Sequence, residues 1–350
     1  IKDNKIIYVG ENTDFQADTV IDATDLAVSP GFINMLSWGY NSLMDDGRAL
    51  SDLKQGVTLE IFGEGTSPGP YWKDGKFTSF GEAMTMLEEK GVSVNIGSFL
   101  GAATTRILEV GYKNRQATPS EMERMRGHVE NSMKEGAMGI GSSLIYAPGD
   151  YASTEELTEL SKVASEYGGM YISHLRSEGT NLLEALEELI SISRNANIPA
   201  EVYHLKASRE PNWSKLDDVI KRIEEVRKEG LKITADIYTY NASSTGLTGV
   251  IPTWVQEGGH RAWINRMKDP EVRPRLLADI REQLDEQPPE GILLVGFKTS
   301  KMSRKYLAKT VAEAAAMRNQ TPEEAIVDMV IEDDHRIQCI YFSMSEDNIR

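Results

Sequence analysis

Residues 168–208, GGMYISHLRSEGTNLLEALEELISISRNANIPAEVYHLKAS, decide the fold of this chain, because they read as strand, helix, strand. An apolar run at 170–173 ends in His174. Apolar residues then recur at Leu182, Leu183, Leu186, Leu189 and Ile190, the spacing of one helical face, and a second run at 200–203 ends in His204. Each histidine closes a predicted strand. In a parallel βαβ unit the carboxyl ends of both strands lie on the same side, so the two imidazoles can reach one shared point above the sheet. A lone strand-end histidine is more often a rim residue with satisfied hydrogen bonds. Two at equivalent ends of successive strands, each followed by a cationic step (His174-Leu175-Arg176 and His204-Leu205-Lys206), favour a metal site instead.

The same rhythm extends outward. Strands are predicted at 27–35, 57–63, 92–99, 137–142, 170–174, 200–204 and 231–238, each followed by a helical or loop segment, which is the pattern of an α/β chain with a parallel sheet. Before them, residues 1–28 carry short β-rich runs at 5–10 and 18–22 between turn residues, as expected for part of a small β domain. After Thr245-Gly246 the alternation breaks. Residues 248–335 hold Pro252, Trp254, a helical stretch at 273–286, a strand at 292–297 and helices at 311–318 and 322–331. This is too much for one βα loop and reads as an inserted α/β lid, with Ile251, Trp254 and Val255 expected to face a substrate. A strand at 337–343 and a helix start at Ser345 follow.

Composition narrows the partners. The 350 residues carry a net charge of −16 with no long basic run, which argues against nucleic acid or an anionic membrane surface as a partner. No apolar run is long enough to span a bilayer. Cys339 is the sole cysteine, so an internal disulfide and a cysteine-rich zinc cluster are both excluded.

Several longer motifs, in order, resemble the N-acyl-D-amino-acid deacylases (D-aminoacylases) of the amidohydrolase superfamily: SPGFIN (29–34), QGVTLEIFGEG (55–65), GAMGIGSSLIYAPGDYASTEEL (136–157), GGMYISHLRSEG (168–179), HLKAS (204–208), ADIYTYNASSTGL (235–247) and FSMSEDNI (342–349). The resemblance implies a metal-dependent (β/α)8 TIM-like barrel at 29–350 with a small β-sandwich appendage. It also implies zinc-assisted removal of an acyl group from a small-molecule N-acyl-D-amino acid. The chain departs from the family at two places. Where the family's first barrel strand ends in an HxH pair, Leu36-Ser37-Trp38 stands here, and aligning through a one-residue deletion puts Glu64 at the position of the family's cysteine ligand. The metal set implied is Glu64, His174 and His204, holding one Zn2+ with an open fourth position, and Glu60 in the same strand is the competing carboxylate. No lysine closes the fourth strand to bridge a second ion.

For the substrate, the resemblance points to Tyr238 and Ser244, with Tyr240 and Ser243 as near alternatives, while Arg176, Lys206 and Tyr146 border the same mouth. Arg176 and Lys206 could equally be ordinary rim salt bridges. The family's general base is an aspartate on an eighth barrel strand, expected beyond Arg350 in a longer polypeptide, and Asp236 reads as a packing or orienting residue. His128, His260 and His335 read as surface residues. The alternatives are another amide or cyclic-amide hydrolase of the same superfamily, or a metal-free, non-catalytic barrel that only binds a ligand or partner.

Overall fold

The computed structural model of the chain describes residues 1–3, 5–11 and 14–350. Among them, parallel strands form at all seven predicted places. β1 (Phe32–Asn34) pairs with β2 (Val57–Phe62). A hairpin of β3 (Tyr71–Lys73) and β4 (Lys76–Thr78) intervenes before β5 (Asn95–Ser98), which pairs with β2 on its other side. Phe99 interrupts this third strand position, and the chain resumes as β6 (Leu100–Gly101). β7 (Gly139–Ser143), β8 (Met170–His174), β9 (Ala200–Val202) and β10 (Ile233–Ala235) continue the row, giving sheet orders β1-β2-β5 and β6-β7-β8-β9-β10 with every neighbour parallel. Backbone bonds from Phe99 N–H to the Phe62 carbonyl and from Met138 N–H to the Ser98 carbonyl carry the row across the break.

The crossovers are helices whose starts are written in the sequence. Ser79 and Thr118 begin helices Phe80–Lys90 and Pro119–Lys134 with reciprocal capping boxes through Glu82 and Glu121. Helix Leu182–Ala196 turns Leu182, Leu186, Leu189, Ile190 and Ile192 into the core, each fully buried. At about 1.5–3 kcal/mol per large apolar side chain, that face fixes the helix against the sheet. It shares one apolar core with Tyr171, Ala200, Val202 and Ile233 from three successive strands. A separate cluster joins Ile61, Phe99, Ile172 and Tyr203, with Met35, Leu36 and Leu59 packed against it. Side chains from the first, second, third, fifth and sixth strand positions therefore meet on one side of the row, which requires the sheet to curl.

Beyond β10 an antiparallel sheet forms from β11 (Ser243–Gly246), β12 (Ile292–Gly296) and β13 (Gln338–Tyr341), in the order β11-β13-β12. It has its own core with helices His260–Lys268, Arg273–Glu286, Val311–Arg318 and Pro322–Asp333. This unit starts at β11 and closes at β13, wider than the predicted 248–335, because the first and last strands pair with each other. Ile251 and Val255 are buried in that core, and the Trp254 ring lies under the Arg275 guanidinium at 4.1 Å while its N–H donates to Asp279. The expectation that these three face a substrate is thus corrected: the insertion needs them to hold itself together. The unit rests on loops at the carboxyl ends of the parallel strands and beyond. Tyr151 donates to the Thr253 carbonyl, Gly258 N–H to the Tyr112 carbonyl, and Trp213 Nε1 to the Ser343 carbonyl.

Several local readings differ from the structure. The runs at 5–10 and 18–22 form no strand among the described residues and stand exposed, apart from an isolated bridge between Lys2 and Lys5; Asn4, Asn12 and Thr13 lie outside the described residues. The first strand is Phe32–Asn34 rather than 27–35. The sixth ends at Val202, two residues before His204, because His204 takes a left-handed backbone (φ 38°) with its N–H donated to Asp236 Oδ1 at 2.7 Å. No helix among the described residues is long and apolar enough to cross a membrane.

Candidate metal centre

Glu64, His174 and His204 converge above the carboxyl ends of the strands, each offering one ligand atom within 4.8 Å of the others. Glu64 Oε1 lies 3.0 Å from His174 Nδ1 and 3.5 Å from His204 Nε2. All three side chains are nearly or fully withdrawn from solvent. Local backbone explains how Glu64 gets there. It follows β2 between Gly63 (φ 109°) and Gly65 (φ 69°), both in backbone conformations that side chains resist. A Cβ on Gly63 would stand 2.3 Å from the Phe99 carbonyl oxygen, so only glycine lets the chain turn here against the third strand.

Glu60, the competing carboxylate, does not join the cluster. Its Oε2 accepts from Ser37 Oγ at 2.7 Å, and burial pushes its carboxyl up. Glu64 behaves oppositely: burial alone would raise it, but hydrogen bonds from His174 and His204 outweigh that and hold it well below the usual carboxylate range. Its second oxygen accepts from Trp38 Nε1 at 2.8 Å.

A residue the sequence reading passed over, Glu178, completes the arrangement. Its Oε1 stands 3.1 Å from His204 Nδ1, 3.6 Å from His174 Nε2 and 2.5 Å from Lys206 Nζ. Burial would raise this carboxyl, yet the charges of His174, Lys206 and His204 hold it far below its ordinary value. Its only sequence signal was the spacing: four residues past His174, in the loop that leaves β8. His204 is pulled down by burial and by Lys206 but raised further by Glu178 and Glu64, to about 9. Its Nδ1 also lies 2.8 Å from Lys206 Nζ. A neutral ring can accept there from Lys206; a ring that presents Nε2 as a ligand instead keeps its proton on Nδ1 and donates to Glu178.

The predicted substrate residues divide. Tyr146 stacks edge-on to His174 at 5.7 Å between ring centres, its hydroxyl is 2.6 Å from Thr245 Oγ1, and burial pushes that hydroxyl up to about 12. Tyr238 lies 6.3 Å from the His204 ring, with Lys206 Nζ 5.6 Å from its own ring centre. Alternation along β11 sends Ser243 toward Tyr238 and Thr245 toward Tyr146, whereas Ser244 donates to the Cys339 carbonyl from the exposed side. Tyr240 is exposed. Arg176 spends its guanidinium on Glu188 and on the carbonyls of Asp150 and Ala152, the rim salt bridge that was the plain alternative. Lys206 is buried and committed to Glu178. Asp236 orients His204 through its backbone N–H. His128 pairs with Glu109 and His260 with Asp334, and no further cluster of three such ligands forms among the described residues.

The residues fit a divalent metal. Two imidazoles and one carboxylate with room for a fourth ligand make an established hydrolytic zinc shell. The buried His174 Nε2 has no hydrogen-bond partner, and a buried polar atom left in that state costs free energy unless something else engages the ring.

Parallel strands with ligands at their carboxyl ends, under an α/β insertion, define an α/β fold of the amidohydrolase type. No protein-family model matches the chain. D-aminoacylase of Alcaligenes xylosoxydans xylosoxydans is 29% identical over 262 residues, 71% of this chain and 54% of that protein. N-acyl-D-glutamate deacylase of the same organism is 27% identical over 261 residues, 70% of this chain and 53% of that protein. The crystal structure of N-acyl-D-glutamate deacylase from Bordetella bronchiseptica, complexed with zinc and a phosphonate mimic of the tetrahedral intermediate, superposes with a TM-score of 0.73 at 22% identity, covering 91% of this chain and 62% of that one. The chain is thus similar in sequence to D-aminoacylases and N-acyl-D-amino-acid deacylases and shares their fold. The chain spans about half the length of the curated relatives it matches.

Proposed function

We propose that this protein is a zinc-dependent hydrolase that removes the acyl group from N-acyl-D-amino acids, with one ion held by Glu64, His174 and His204. The observation that carries the reading is the convergence of these three buried side chains, from three separate strand ends, on one point. The likeness to deacylases supplies the reaction class. A zinc ion held there would supply Lewis acidity, both for ionising water and for polarising an amide carbonyl. The protein's own residues then have defined tasks. Glu178 keeps a charge-assisted acceptor behind His204, Asp236 fixes the backbone that aims its ring, and Tyr146 closes one wall against His174.

We further infer that the seven strand positions are staves of a (β/α)8-type barrel, supported by the inner cluster of Ile61, Phe99, Ile172 and Tyr203. Residues 1–28 are assigned on the resemblance to the small β domain. The unit from β11 to β13 acts as a lid, a role supported by the Tyr146–Thr245 bond that ties it to the residue covering His174. The substrate carboxylate is received by Tyr238 and Ser243 near Lys206, with Ser243 preferred to Ser244 because it shares the tyrosine's side of β11.

The test is metal content together with chiral product analysis of the intact protein on paired N-acetyl-D- and N-acetyl-L-amino acids. One zinc per chain with turnover of the D series supports the reading, and His204→Ala should abolish both while His128→Ala changes neither. Metal with turnover only of cyclic amides would move the protein to another amidohydrolase activity. A metal-free protein without turnover would make it a binding barrel.

A further inference from the structure

The residues just after β1 sort two carboxylates, Glu60 within β2 and Glu64 just after it. Ser37 Oγ takes Glu60 Oε2 at 2.7 Å, and Trp38 Nε1 takes Glu64 Oε2 at 2.8 Å. Both follow from the pairing of β1 with β2, which sets Asn34 beside Glu60 and gives the Ser37 N–H to the Ile61 carbonyl. An indole N–H donates only and cannot ligate a cation, so Trp38 contributes orientation and no ligand atom. Glu64 is left with one oxygen, Oε1, turned toward His174 and His204. The ring of Trp38 meanwhile stands largely exposed in a cavity of about 340 Å³ that Glu64, Tyr40, Phe62 and Tyr71 also line.

We propose that Trp38 is a positioning residue for the metal: its N–H holds Glu64 to one-oxygen ligation and thereby sets both the affinity and the coordination number of the centre. The inference rests on the reading of Glu64, His174 and His204 as ligands. Without the indole N–H, the second carboxylate oxygen is a buried acceptor free to turn onto the ion.

The probe is Co2+ alone, titrated into the intact protein while its visible absorption is followed, with no substrate and no turnover. Removing a hydrogen-bond partner of a ligand commonly weakens metal binding about 10- to 100-fold, and that loss is expected for Trp38→Phe, which keeps an aromatic ring and removes the donor. The absorption should weaken per ion as Glu64 brings in its second oxygen. Trp38→Gln, which restores an N–H donor, should recover part of both, and Trp72→Phe, on the exposed hairpin ring, should leave both at wild-type values. A Trp38→Phe protein with wild-type affinity and spectrum overturns the proposal. A wild-type protein that takes up no Co2+ overturns the ligand reading as well. Should the variants fail to fold, wild-type protein labelled with 5-fluorotryptophan decides: one of its five tryptophan resonances must broaden in step with Co2+ binding, and five unaffected lines overturn the proposal.

Discussion

Glu178→Gln is the most informative change, because one carboxylate oxygen there serves a buried ammonium and an imidazole at once. Lys206 has a side chain only 4% exposed and lies 2.5 Å from Glu178 Oε1. Removing one partner of a buried pair costs about 3–5 kcal/mol, since the remaining charge is stranded. Glutamine keeps the volume and an acceptor oxygen, so the expected loss lies at the lower end, about 3 kcal/mol. The same change takes the charged acceptor from His204 Nδ1, for which a loss of about 10- to 100-fold in metal affinity is expected, roughly 1.4–2.8 kcal/mol. Urea unfolding of the metal-free protein reads the first effect, and metal titration at fixed pH reads the second. Adding Lys206→Met separates them. The double variant loses the stranded ammonium and should regain stability relative to Glu178→Gln, while its metal affinity stays low because His204 still lacks its acceptor. A Glu178→Gln protein that unfolds at the wild-type urea concentration and binds metal with wild-type affinity would refute the role assigned to this carboxylate.

Two further outcomes are expected. Gly63→Ala puts a Cβ 2.3 Å from the Phe99 carbonyl at a φ of 109°, so beyond a backbone cost of about 1–3 kcal/mol it should displace Glu64 and weaken metal uptake; thermal melting with and without metal checks this. Glu60→Gln should leave metal content unchanged, since Ser37 holds that side chain outside the cluster, whereas Glu64→Gln should remove most of the bound ion; metal analysis of the two purified proteins distinguishes the carboxylates.

The parallel strands were legible because buried strands are short apolar runs between turn residues, and the two histidines because each lies at or just past the carboxyl end of such a run, His174 closing β8 and His204 two residues beyond β9. Glu64 could be read only through the resemblance, since most glutamates are solvated and nothing in its neighbours but two glycines marks it. Other features needed the fold. Trp38 looks like any aromatic until β1 is laid beside β2 and its N–H meets Glu64 Oε2. Choosing between Ser243 and Ser244 requires knowing which face of β11 meets Tyr238, because neighbouring residues in a strand point to opposite sides. Ile251, Trp254 and Val255 misled because an insertion large enough to cover a site needs a core of its own.

Charge explains why Lys206 and Glu178 sit so close to the ligands without being spare. With both imidazoles counted as neutral, the form in which they ligate a metal, Glu64 and Glu178 carry two negative charges and Lys206 one positive, a sum of −1. A buried net charge is costly. The two carboxylates accordingly raise His204 to about 9 despite its burial and the nearby Lys206. A divalent ion in the proposed site turns −1 into +1, and a substrate carrying one carboxylate brings the whole to zero. The cluster would thus attract a divalent metal when empty and a monoanion when loaded. Arg176 and Lys206, which border the mouth, are each paired with a glutamate, Glu188 and Glu178. If the proposed function holds, the balance of the whole cluster favours an N-acyl amino acid over an uncharged amide, and a neutral N-alkyl amide of the same size should bind the metal-loaded protein more weakly than the carboxylate-bearing substrate.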